Sequence, residues 1–145
     1  MAAFWDASAL VPVCVPRQAS RQMRQFLREH APVVWWGTPV EVASALARLK
    51  REGHLSPEQA QLAARRLDML RTAWREVQPV HELRELAERH VAASELRAAD
   101  ALQLAAALVW CRQRPARRDF ICNDRRLGEA ARQAGFTVIQ VTYFG

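Results

Sequence analysis

The chain has 145 residues, half of them apolar and a quarter charged, which suits one domain (residues 1–145) with a sizeable core. No apolar run approaches the length of a membrane span, and Arg17, Arg21, Arg24 and Arg28 interrupt the N-terminal third. The opening MAAFWDASALVPVCVP has no basic start and carries Asp6 inside its apolar stretch, so the expectation is a cytoplasmic protein with neither signal peptide nor membrane segment.

The net charge is +6, and of 21 basic residues only Lys50 is a lysine. Arginine grips phosphates and carboxylates in bidentate fashion, so an arginine-rich surface suits nucleic acid or an acidic protein. Codon bias in a GC-rich genome accounts for the missing lysines but not for the positive balance. Cys14, Cys111 and Cys122 are scattered and odd in number, which does not suggest a disulfide framework or a zinc site and favours reading them as small buried hydrophobes. His30, His54, His81 and His90 show no ligand spacing either.

In chain order, residues 2–6 (AAFWD) form the first predicted strand, and residues 17–29 an amphipathic helix. Residues 32–36 (PVVWW) form the second strand. Thr38-Pro39-Val40-Glu41 has the pattern of a capping box with proline at the first helical position, opening a helix to about residue 51. Ser56-Pro57-Glu58-Gln59 repeats that signal for a helix to about residue 74. Helices follow over 82–91 and 97–111, then a strand over 119–122 (DFIC). A helix over 125–133 ends at Gly135, before a last strand over 137–141. Strands without polar alternation are buried on both faces. The expected fold is therefore α/β and three-layered, a central, mainly parallel sheet of four to five strands flanked by helices. Trp5, Trp35, Trp36, Trp74 and Trp110 are read as core packing, with no base-stacking role.

Most of the 15 acidic residues fall on polar helix faces. Four do not. Asp6 closes the first strand, at the sheet edge where open parallel sheets bind ligands; an Asx-turn or helix cap is its structural use. Glu41 follows the second strand, where the capping box competes for the same oxygens. Asp100 shares a helical face with Leu96, Leu104, Ala107 and Leu108, a costly place for a carboxylate unless cations or donors meet it, and Arg97 could be a simple ion-pair partner. Asp124 follows the DFIC strand and could cap the next helix, a task open to Asn123 as well. If the strands are neighbours, the four acids converge and raise one another's pKa unless cations intervene. Oxygen donors without histidine or cysteine select Mg²⁺ or Mn²⁺ over Zn²⁺, and such clusters hydrolyse phosphodiesters.

These residues resemble a PIN domain, specifically the VapC-type toxins of bacterial toxin–antitoxin pairs. The resemblance is carried by Asp6-x-Ser8-Ala9-Leu10 after the first strand, Glu41 of EVASAL, the helix LRAADALQLAAAL around Asp100, and FICNDRRLGEAARQAG with Asp124. It implies a parallel sheet with the acids at its C-terminal edge and Mg²⁺- or Mn²⁺-dependent endoribonuclease activity. Asp6, Asp100 and Asp124 would hold the metal, Glu41 would orient water or complete the metal shell, and Ser8 would give support. It further implies a homodimer paired with a small VapB-like antitoxin. One departure is Cys122, where such proteins often carry threonine or serine, because a thiol is a poor Mg²⁺ ligand. Arg125, Arg126, Arg112, Arg114, Arg117 and Arg118 are candidate RNA contacts.

Three other readings are weaker or non-enzymatic. A haloacid-dehalogenase-type hydrolase needs an Asp-x-Asp triplet and a later lysine, whereas Asp6-Ala7-Ser8 and an isolated Lys50 are present. A receiver domain fails on the same lysine. A non-catalytic module that binds an acidic partner or RNA through its arginines stays open, but it has no use for four acids in apolar settings.

Overall fold

Ala2–Trp5 (β1) is apolar throughout because both of its faces are covered. Phe4 faces one helical layer, while Ala3 and Trp5 face the other. The computed structural model describes residues 1–16 and 21–141. Within them lies one five-stranded, all-parallel sheet in the order β3-β2-β1-β4-β5. The other strands are Ala31–Trp35 (β2), Arg75–Val77 (β3), Asp119–Cys122 (β4) and Thr137–Gln140 (β5). The expected α/β three-layer architecture is what the chain adopts.

One face carries Ala7–Cys14 (α1), Arg21–Glu29 (α2), Thr38–Arg51 (α3) and Pro57–Ala73 (α4), packed around Trp5, Leu10, Val34, Leu46 and Ile121. The other carries His81–Ser94 (α5), Ala98–Trp110 (α6) and Arg125–Ala134 (α7), around Phe4, Val33, Leu83, Leu104 and Phe120. Phe4 and Phe120 are register partners, and their rings stack at 5.4 Å. No described helix is long and apolar enough to cross a membrane.

Several local expectations need correcting. Helix α1 had no sequence signal, since Pro12 lies inside it and its residues are apolar nearly all round, which hides the 3.6-residue period. Strand β3 was also missed, being a polar three-residue edge strand. Of the helix expected over 17–29, residues 17–20 lie outside those described. Helix α3 does not start on a Thr38 capping box: its N-cap is Gly37, and Thr38 is a buried residue of the first turn. The second capping box is formed as expected, with Ser56 and Gln59 bonding reciprocally.

Helix α6 is the least polar helix of its layer, and Leu104, fully buried, fastens it to the sheet. Leu104→Ala should therefore lower stability by about 3 kcal/mol in urea melts, the usual cost of a core cavity. A loss below about 1 kcal/mol would show that α6 is not locked against the strands.

Candidate functional site

In an all-parallel sheet every strand ends on the same side, so residues far apart in sequence meet along one edge. Asp6 follows β1 at the sheet centre, and its N–H still donates to the Ile121 carbonyl of the neighbouring β4 at 2.9 Å. Its side chain caps α1. Asp6 Oδ2 accepts from the Ser8 N–H at 3.1 Å and from the Ser8 hydroxyl. The Ser8 Oγ also accepts from the Asn123 N–H at 2.8 Å, tying the end of β1 to the end of β4. Asp124 caps α7 in the same way, its Oδ1 accepting from the Leu127 N–H at 2.9 Å. The cap, not Asn123, is thus Asp124, and in both aspartates one oxygen serves the helix. No hydrogen bond among the described residues claims Asp6 Oδ1 or Asp124 Oδ2, and neither is an isolated buried atom.

Asp100 comes from the first turn of α6, half-buried on the stripe that continues into Leu104, Ala107 and Leu108. It forms no ion pair with Arg97. Burial and Asp124 push its carboxyl above the usual range, while Arg97 and Arg126 pull it back only electrostatically. Glu41 reaches the same group from α3. Because Gly37 is the cap, the Glu41 carboxylate is not used by the helix start. It accepts instead from Gln103 Nε2 at 3.2 Å. Burial first, then Asp6 and Asp100, raise it to about 7, against the opposing Gln103 bond. Asp6 is only 3% exposed, and burial lifts it to about 6 despite the Ser8 bonds, with Asp100 and Asp124 adding to the rise.

All four predicted acids and Ser8 are therefore brought together in one electrostatically coupled group. The donor set is all oxygen, which fits a hard divalent cation. The group is not a closed cage: among the described residues no three His, Cys, Asp or Glu side chains are arranged to hold a metal ion.

Sequence reasoning missed Gln103. It is fully buried on α6, and its Nε2 also donates to Thr38 Oγ1 at 3.1 Å, so it links the two helical layers around Glu41. Its Oε1 is buried without a protein partner. The signal was available: a lone amide in LQLAAAL, three residues after Asp100 and on its face. Cys122 takes no part as a donor, for its thiol is fully buried, bonds the Asp124 carbonyl at 3.6 Å and is pushed up to about 12 by burial. Gly128 keeps α7 close to β4 and β5, because a Cβ there would run into Gln140 and the Cys122 sulfur.

The arginines divide between the two ends of the sheet. Arg125 and Arg126 are exposed at the start of α7 beside Asp124. Arg112, Arg114, Arg117 and Arg118 lie in the loop that enters β4, at the opposite edge, and do not flank the acids. Four of the tryptophans are buried or partly buried as expected, but Trp36, after β2 on the acidic edge, is 52% exposed.

No protein-family model matches the chain. No curated protein matches it. Among solved structures it is similar to the crystal structure of PAE2754 from Pyrobaculum aerophilum, with a TM-score of 0.65 and 18% identity over 95% of this chain and 89% of that one. That likeness is one of fold.

An aspartate whose pKa rises on folding, here from 3.8 to about 6, gives stability that is complete below about pH 4 and is lost as the pH climbs through 6. Asp6→Asn removes that loss. In EDTA at about pH 7.5 the variant should be more stable than wild type by about 1–3 kcal/mol, the gain vanishing near pH 4. Equal melting of the two proteins across that range would mean that Asp6 is not held in a desolvating site.

Proposed function

We propose that this protein is a divalent-metal-dependent endoribonuclease of the PIN-domain, VapC type. The observation that carries the proposal is the meeting of Asp6, Asp100 and Asp124, from the end of β1, the start of α6 and the end of β4, at the C-terminal edge of a parallel sheet, where burial and the neighbouring acids push Asp6 and Asp100 upward. Carboxylates so placed are unfavourable in the free protein and favourable once a cation joins them. Mg²⁺ usually keeps several waters, so it does not require a closed all-protein cage.

Asp6, Asp100 and Asp124 would hold the ion, Asp6 and Asp124 through the oxygens their helix caps leave over. When bound, the cation supplies a Lewis acid that neutralises phosphate charge and acidifies water. Glu41, raised to about 7, holds or releases a proton near neutral pH, and the Gln103 amide fixes one of its oxygens. It accepts a proton from the water that attacks phosphorus; the bond to the 3′-oxygen breaks, and that oxygen takes a proton from solvent to leave as a hydroxyl. Arg125 and Arg126 neutralise the phosphates beside the acids. Ser8 keeps the Asp6 carboxylate in register with β4. A small VapB-like antitoxin and a second copy of the chain are the partners this reading entails.

Two measurements test it. Purified protein should cleave RNA with Mg²⁺ or Mn²⁺ and lose about 10³-fold or more in rate with EDTA or as Asp6→Asn; equal cleavage by wild type and variant would assign the activity to a contaminant. Titrated Mn²⁺ should raise the melting temperature of wild type, and Asp100→Asn should abolish the rise. A wild-type midpoint indifferent to Mn²⁺ would favour a non-catalytic binding module.

A further inference from the structure

The seven residues after Cys111, RQRPARR, carry four arginines, all exposed, and none is in an ion pair with any described residue. Of the nearby acids, Glu82 accepts from the loop's own Gln113 side chain at 3.1 Å, and Asp119 faces His30 at 3.7 Å. The backbone of this loop is held in an unusual shape. Arg112, Gln113 and Arg117 have φ of 55°, 57° and 64°, three of the four described non-glycine residues in the left-handed region. Glycine or asparagine would adopt that conformation more easily, and a loop needed only as a connection would be better served by them.

The shape is fixed from several sides. The Gln113 N–H donates to the Leu108 carbonyl at 2.7 Å, Arg114 N–H to Cys111 at 3.0 Å and Arg118 N–H to Pro115 at 2.9 Å. Pro115 packs over Gly135, where a Cβ would come within 3.0 Å of its ring. The Arg118 guanidinium lies 5.3 Å from the centroid of the Trp110 ring. The result is a preset display of positive charge that needs little ordering when an anion arrives. None of the exposed large hydrophobic side chains belongs to this loop. Apart from Pro115 and Ala116 the loop surface is polar and cationic, which suits phosphates better than a protein interface, whose centre is apolar.

We infer that the Arg112–Arg118 loop is a second RNA-binding surface, gripping the phosphate backbone of the same RNA that is cut at the acidic edge. This rests on the ribonuclease reading and names its substrate class. Asp100 and Arg112 stand at opposite ends of α6, about 18 Å apart by the rise of a helix. An RNA that touches both is several nucleotides longer than the site of cleavage, so long or folded RNA is bound more tightly than a fragment of a few nucleotides, which reaches the acids alone.

The test compares a fluorescein-labelled RNA of about 20 nucleotides with a labelled trinucleotide on the full-length protein in EDTA. A variant with Arg112, Arg114, Arg117 and Arg118 all changed to Ser should bind the longer RNA at least about tenfold more weakly. Its slope of log affinity against log salt should fall by about two to three. Trinucleotide binding in EDTA, and cleavage of the trinucleotide once Mg²⁺ replaces the EDTA, should not change. A matching Arg→Lys variant keeps the charge and should retain most of the slope, which separates loss of phosphate contact from loss of fold. An unchanged slope, or an equal loss for both RNAs, overturns the inference while leaving cleavage at the acids intact. Loop-dependent binding of polyglutamate as tight as that of the longer RNA would also overturn it, assigning the surface to an acidic protein. Loop-dependent binding without any cleavage would uphold the second surface and sink the ribonuclease reading instead.

Discussion

Everything at the candidate site follows from one electrostatic conflict: carboxylates are held close together in partial burial without enough positive charge to satisfy them. Asp6 is the centre of it. The sheet places it beyond the central strand, under α1, where water is excluded and its charged form is disfavoured. A merely structural aspartate would be met by an arginine or left in solvent. Here the closest compensation is dipolar, from the starts of α1 and α7, whose free N–H groups point at Asp6 and Asp124. Helix N-termini make the acids tolerable, but they do not neutralise them.

The same geometry dissolves the apparent choice between helix capping and chemistry. A carboxylate has two oxygens, and in both capping aspartates the helix uses one. The cap orients the side chain, and no hydrogen bond among the described residues takes the second oxygen. Ser8 adds to this by bonding Asp6 and the Asn123 backbone at once, so the relative placement of the two strand ends is fixed by a hydroxyl rather than by the strands alone.

Much of this was legible in the sequence because the acids interrupt strong apolar patterns. Continuous runs such as AAFW and DFIC require two-sided burial, which in turn requires a parallel sheet and places whatever follows each strand on one edge. The position of Asp100 was readable for the same reason: helical periodicity sets it beside Leu104 and Leu108. Helix α1 was illegible since uniform burial removes the amphipathic signal, and its proline argues against a helix at all. The arginines could not be sorted by sequence proximity to an acid. Direction along the strand decided their place: residues entering β4 and residues leaving it are at opposite ends of the molecule.

Glu41 shows where a local rule yields to a tertiary one. Thr38-x-x-Glu41 satisfies the capping-box pattern, yet the box is not made. The turn after β2 brings Gly37 against the Trp35 ring, so close that a Cβ there would meet the indole Nε1 at 2.6 Å, and this tight passage starts the helix one residue early. Thr38 is drawn inward with its hydroxyl against Gln103, and Glu41 is released from the backbone toward the acids. Gln103, from the opposite helical layer, takes over the role of donor that the cap would have filled. The Gly37 turn thus frees the fourth carboxylate from its own helix, and a single amide then holds it through contacts separated by more than sixty residues.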